Sequence, residues 1–208
     1  MKLKKKVKKR LVILLILIII GSGALYIYKY KDAKPEIKEA QVLNQIDEYG
    51  YTLKDNKSKK YQSLFNELEK ILNEKEVDEE KYAAKIAEMF IVDFYSLNDK
   101  SAKTDIGGVD FVHPDILSNF LLNAEDTLYK YVESNIYGNR TQKLPTINEV
   151  LISSVESTEF TYNDKTDENA YLVKTEWNYL EDEFSDYQTS ASMIFVHEDK
   201  KLYLVELA

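Results

Sequence analysis

Few residues in this chain have side chains able to do chemistry, because its 208 residues include two histidines and no cysteine. Asp105, Asp110, His113 and Asp115 gather carboxylates and an imidazole around the pair Gly107-Gly108. A carboxylate beside a histidine can orient the ring and raise its basicity, so a metal or acid–base site can be built this way. The spacing matches no metal-site signature, and His113 directly before Pro114 reads more simply as the cap of a helix. His197 stands with Glu198 and Asp199 in a predicted hairpin turn, where solvent surrounds the side chains and chemistry has little hold. A zinc site would need both histidines to meet in space. The acidic runs Glu74 to Glu80 and Glu181 to Glu183 lack the alternating oxygen ligands and central glycine of a tight calcium loop, so they read as solvated surface. Ser153 and Ser154 have no Gly-x-Ser-x-Gly setting and no adjacent histidine. These residues imply no enzyme, no bound metal and no cofactor.

The more promising group is aromatic. Tyr171, Trp177 and Tyr179 alternate along one predicted strand and share one face of it. Aromatics with polar tips suit the wall of a ligand cavity, and these three are the candidate ligand-binding residues. Ordinary packing of a covered sheet asks for the same stripe.

The elements around these residues begin with a strongly asymmetric start. Lys2, Lys4, Lys5, Lys6, Lys8, Lys9 and Arg10 precede LVILLILIIIGSGALYIY, an uncharged run from Leu11 to Tyr28. Eighteen helical residues reach roughly 27 Å, close to the hydrocarbon thickness of a bilayer. Tyr26, Tyr28 and Tyr30 fall where an interfacial aromatic belt belongs, and the basic flank sets that side as cytoplasmic. Residues 1–10 are therefore expected to be a cytoplasmic tail, 11–30 a transmembrane helix, and the remainder extracytoplasmic. A cleaved signal peptide, with Gly21-Ser22-Gly23-Ala24 as the small-residue site, is the rival reading and leaves the body on the same side.

Eight of the 28 basic residues and none of the 36 acidic ones lie in residues 1–30, which leaves 20 against 36 in the rest, a net of −16. A body this acidic repels nucleic acid and anionic headgroups. The partners expected are the membrane, through residues 11–30, and envelope proteins, among them a second copy of the chain. The absence of cysteine excludes a lipid-modified cysteine anchor and a disulfide framework.

Beyond the anchor, periodicity first reads helical. Ile37, Ala40, Leu43 and Ile46 predict a helix over 36–49 that stops at Gly50, followed by an extended link at Tyr51 to Leu53. Tyr61, Leu64, Phe65, Leu68, Ile71 and Leu72 predict a second helix capped by Ser58. A third, capped by Asp78, carries Tyr82, Ile86, Met89, Phe90, Phe94 and Leu97 and is apolar enough all round to lie deep. A fourth is expected from Pro114 to Val132. After Pro145 the period drops to two. Strands are expected over 150–162 with a bulge near Ser153 to Thr158, over 171–180, over 187–196 and over 202–207. Turns this short make an antiparallel meander, with one polar face and one face covered by the helices. The fold class is α+β: residues 31–77 form a helical stalk or subdomain, and 78–208 the main domain.

A single membrane helix at Leu11 to Tyr28, helices at Tyr82 to Leu97 and Leu117 to Val132, and a four-stranded meander from Val150 to Leu207 together resemble the NTF2-like fold of VirB8-like bitopic conjugation proteins. The resemblance is one of layout and covers most of the chain. It implies a curved sheet with a concave, cavity-lining face and a role in assembling an envelope complex. The Asn-Pro loop expected in such proteins of Gram-negative bacteria has no counterpart, and Thr141 to Thr146 is only a weak stand-in.

Overall fold

The computed structural model describes residues 40–208. The transmembrane helix expected over 11–30 and its basic tail lie outside the described residues. No helix among the described residues is long and apolar enough to cross a membrane.

Among the described residues the fold is α+β, with three α-helices and a four-stranded antiparallel sheet in addition to a short hairpin. Strand β1 (Val42–Ile46) and a 3₁₀ turn at Asp47–Tyr49 replace the helix expected over 36–49 in its described part, while the extended link expected at Tyr51 to Leu53 is present as β2 (Tyr51–Lys54), which pairs with β1 in a hairpin. Gly50 explains the error: its φ of +67° serves a hairpin reversal as well as it would serve a helix C-cap. Tertiary packing decides between them, since Ile46, Tyr51 and Leu53 are buried while Val42 and Leu43 stay exposed.

Helix α1 (Lys59–Leu72) starts as expected at Ser58, whose Oγ accepts from Tyr61 N at 3.3 Å. Its buried stripe of Tyr61, Leu64, Phe65, Leu68 and Leu72 follows the spacing of three and four. Ser58→Ala is expected to lower stability by about 1 kcal/mol, read from the urea midpoint; an unchanged midpoint would show that the cap contributes nothing. Helix α2 (Glu79–Tyr95) is capped by Asp78 and is buried almost all round, which makes it the centre of the described domain. Helix α3 (Pro114–Asp126) ends six residues before the expected Val132. The chain leaves it because Tyr129 is drawn inward: its hydroxyl donates to Phe94 O at 2.6 Å and accepts from Gly107 N at 3.1 Å.

The sheet order is β3 (Ile147–Tyr162), β4 (Lys165–Tyr179), β5 (Ser190–Glu198), β6 (Lys201–Leu207). Strand β4 begins six residues earlier than expected. Asn163 and Asp164 both take positive φ, 47° and 61°, and make a two-residue reversal, so the acidic stretch after them pairs as strand. The expected bulge in β3 is present as three register shifts. Strand β5 starts at Ser190 rather than Tyr187, after a short 3₁₀ turn at Asp182–Phe184.

Tyr171, Val173, Thr175 and Trp177 of β4 are buried toward the helices, as the alternation requires. The opposite face is not wholly polar. Ala170, Ile194 and Val196 form a second small core there with Phe160, Tyr162, Leu172 and Val205. Residues 40–72 share the main core: Tyr51 Oη meets Tyr82 Oη at 2.7 Å, and Tyr82 Oη accepts from Leu202 N at 3.1 Å. The first hairpin is thereby bonded through α2 to the last strand.

Candidate functional site: a cleft between α3 and the sheet edge

Pro114 fixes the direction in which α3 sets out. Ile116, Asn119, Phe120, Asn123 and Thr127 then recur every three or four residues and present one side of the helix to a cleft of about 450 Å³. Phe94 and Tyr95, at the end of α2, form its floor. Leu204, Val205, Glu206 and Leu207 of β6 form the opposite wall, and Gln188 stands at the rim. The aromatic floor is continuous, with Phe94 5.2 Å from Phe120 and 5.2 Å from Phe90 between ring centres. Glu206 is the one lining residue that carries a formal charge at neutral pH. The remaining polarity comes from amides and hydroxyls. Burial pushes the Tyr95 hydroxyl well above its ordinary range, so it stays a neutral hydrogen-bonding group. The volume and the mostly apolar lining are those of a binding cleft. Among the described lining residues, Glu206 is the one group able to exchange a proton near neutral pH, and no imidazole or second carboxylate stands beside it.

The three aromatic candidates share a strand face, and none of them lines this cleft; Trp177 contributes to a separate surface depression with Glu149, Leu151 and Asn178. Tyr171 sits at one end, where its hydroxyl donates to Glu79 Oε2 at 3.1 Å; burial and that carboxylate push it up to about 12. Tyr179 sits at the other end and donates to Gln188 O at 2.7 Å. Trp177 lies between, 5% exposed, with its ring centre 4.5 Å from that of Tyr95. Its indole N–H is buried without a hydrogen-bond partner among the described residues, and it lies close enough to the Tyr179 hydroxyl to temper the rise that burial causes there. Trp177 therefore stands one layer behind the cleft floor, with Tyr95 as the layer between. Sequence reading missed the cleft itself, because Asn119, Asn123 and Gln188 carry no motif; the helical spacing of Ile116, Phe120 and Ala124 was the available signal.

His113 is the cap that its sequence suggests. Its Nδ1 accepts from Asp115 N at 3.2 Å, which leaves the proton on Nε2. Nε2 faces Tyr162 Oη at 2.5 Å and Glu198 Oε2 at 3.2 Å, and the ring is 2% exposed. His113 N also donates to Leu204 O at 2.9 Å. One residue thus clasps the far end of β3 to β6, the two outer strands of the sheet. Asp115 accepts from Asn163 at 3.1 Å and strengthens the clasp, while Asp105 turns away to accept from Ser101.

His197 lies on β5 and not in a solvated turn. Its N and Nδ1 both donate to Asp167 Oδ2, at 2.7 and 2.9 Å, and Nε2 stands 3.6 Å from Glu79. Burial would raise Asp167, but the His197 bonds, with help from Asn169 N, hold it below the usual range. The turn is the Asp199-Lys200 pair that follows, with Asp199 at φ +54°. This arrangement can orient an imidazole, yet the adjacent hydroxyl, Tyr171, is committed to Glu79. No cluster of three or more metal-ligating side chains occurs among the described residues.

Comparison with family models, curated proteins and solved structures finds no match. The local geometry therefore carries the functional argument.

Proposed function

We propose that this chain is a non-enzymatic, membrane-tethered interaction module of the cell envelope, whose extracytoplasmic domain receives a partner in the cleft between α3 and β6. The observation that carries the reading is the composition of that cleft, which is an aromatic floor with unreactive amide and hydroxyl groups above it. Supporting the tether is the apolar run Leu11 to Tyr28, and supporting the exterior location is the basic flank that precedes it. The domain is read as NTF2-like, with β3 and β6 drawn together by the His113 clasp so that the sheet curves around α2. An assembly role of the conjugation type follows from that resemblance alone.

The test is a photo-crosslinking amino acid placed at Asn123, in the cleft, and at Glu149, on the far side of the sheet, in the full chain in living cells. A discrete protein adduct is expected from position 123 and not from 149. Equal labelling at both positions, or none at either, would refute the reading. Removing residues 1–30 should abolish membrane association in the same cells.

A second reading, a small-ligand sensor, draws on the contact between Tyr95, which lines the cleft, and Trp177 behind it. A molecule seated on Tyr95 should shift the emission of the chain's single tryptophan in a saturable titration. Saturable binding that leaves the emission unmoved would remove this reading.

A further inference from the structure

The wall of the cleft formed by β6 is also an outer edge of the sheet. Its first half is covered, since Val112 bridges Leu204 in parallel and His113 N donates to Leu204 O. The cover stops there. Ala208 exchanges both backbone bonds with Ser192, at 2.8 and 2.9 Å, so its backbone faces β5. One residue earlier the direction reverses, and Leu207 points its N–H and C=O outward. Neither has a partner among the described residues. Across the cleft, the side chains of Asn119 and Asn123, one helical turn apart on α3, make no hydrogen bond within the described protein. An unpaired strand edge thus faces two unpaired amides across an aromatic floor. The other outer strand, β3, is interrupted by three register shifts, a common protection of sheet edges, whereas β6 has a single one, at Val205, and regains regular pairing over Glu206 to Ala208.

Resting on the interaction reading above, we infer that the occupant is an extended polypeptide segment of another protein. It adds to β6 at Leu207 as a short fifth strand and carries a basic residue beside Glu206. An added strand alternates its side chains. Those on the inner face drop toward Phe94 and Phe120, while the segment's exposed amides meet Asn119 and Asn123. Those on the outer face pass Glu206, which pairs with Ile194 and so shares that face of the sheet. A lysine or arginine there is a favourable cross-strand neighbour. The net charge of −16 beyond residue 30 attracts a basic segment over longer range. A globular partner face would leave the Leu207 backbone groups unpaired, whereas an extended segment pairs them.

The experiment is selection of a displayed library of random nonapeptides on the full chain in detergent micelles. Fluorescence anisotropy of the strongest binders follows. The expected binders alternate apolar residues and carry Lys or Arg at one outward position. N-methylating the amides along one edge of such a peptide should weaken it at least tenfold, and along the other edge less than twofold. Leu207→Pro removes the same outward donor from the protein and spares the bonds to β5, so a matching tenfold loss is expected. If that variant does not fold, the N-methylated peptides make the same test from the ligand side. Glu206→Lys should reverse the selected charge from basic to acidic. Binding abolished by Phe120→Lys but indifferent to N-methylation on either edge would overturn strand addition and leave the cleft reading standing. A library that yields no binder overturns the inference, whereas the cleft reading answers to the crosslinking experiment.

Discussion

Asp93→Ala is expected to destabilise the domain by about 3–5 kcal/mol, the cost of leaving a buried charge without its partner. Asp93 lies on α2 with its side chain 7% exposed. It bonds Lys57 Nζ at 2.6 Å, Lys100 Nζ at 2.8 Å and Gly108 N at 2.8 Å. Lys100 is itself only 5% exposed, so the variant strands an ammonium in the interior. Burial alone would raise the Asp93 carboxyl. Lys100, Lys57 and the Gly108 N–H outweigh it and hold the carboxyl at about 2, against an ordinary 3.8. Because the folded value is the lower one, the contribution is complete above pH ~4 and is lost as pH falls toward 2. It amounts to about 2 kcal/mol by linkage. Urea titrations at pH 7 and pH 3 separate the two effects. Wild type should lose stability between them more steeply than Asp93→Ala, and equal slopes would mean that Asp93 is not the group titrating. A loss below about 1 kcal/mol at pH 7 would show that the ion cluster behaves like a surface pair.

The second large effect is expected at Gly107→Ala, on the order of 4 kcal/mol or more, in the range where backbone must move. A Cβ at Gly107 would press into the Asp93 carbonyl group and lie 2.6 Å from Lys100 Nζ. Neither can yield, because the carbonyl belongs to α2 and the ammonium is held by Asp93. Gly50 and Gly138 supply the contrast. Their φ values of +67° and +68° disfavour alanine, but a Cβ there meets nothing within 4 Å. Alanine at those positions should cost only about 1–2 kcal/mol. Thermal unfolding of the three variants would order them, and a Gly107→Ala protein as stable as Gly138→Ala would show that the loop repacks freely.

The part of this fold open to reading from sequence is the part with a strong period. Helices α1 and α2 announce themselves through a stripe of large apolar residues and through Ser58 and Asp78, whose side chains bond the first turn as their types suggest. The pair His113-Pro114 marks the start of α3 equally well. Tyr51 to Leu53 was legible as extended, but its partner strand Val42–Ile46 was not, because Ala40, Leu43 and Ile46 satisfy a helical period by accident and Gly50 ends either element. Only burial of Tyr51 against Tyr82, distant in sequence, selects the strand. Strand β4 was cut short for a related reason. Asp167 and Glu168 look like turn residues until His197 is found to need Asp167 as its acceptor.

Of the site, the aromatic stripe on β4 was legible as a face and not as a cavity. A period of two says which side chains share a side of the sheet and is silent on what lies above them. The cleft depends on the exit of the chain from α3 at Asp126, and that exit is governed by Tyr129 reaching Gly107 and Phe94, contacts with no local signature.

The bond from Leu202 N to the Tyr82 hydroxyl, together with the Tyr51 hydroxyl that joins it, makes the first strands of the domain depend on its last one. A nascent chain halted before residue 202 would hold α1 and α2 with Tyr51 and Tyr82 facing water instead of β6. Such a chain lacks the contacts that close the domain, and the core is complete only once residue 202 and the strand around it have emerged.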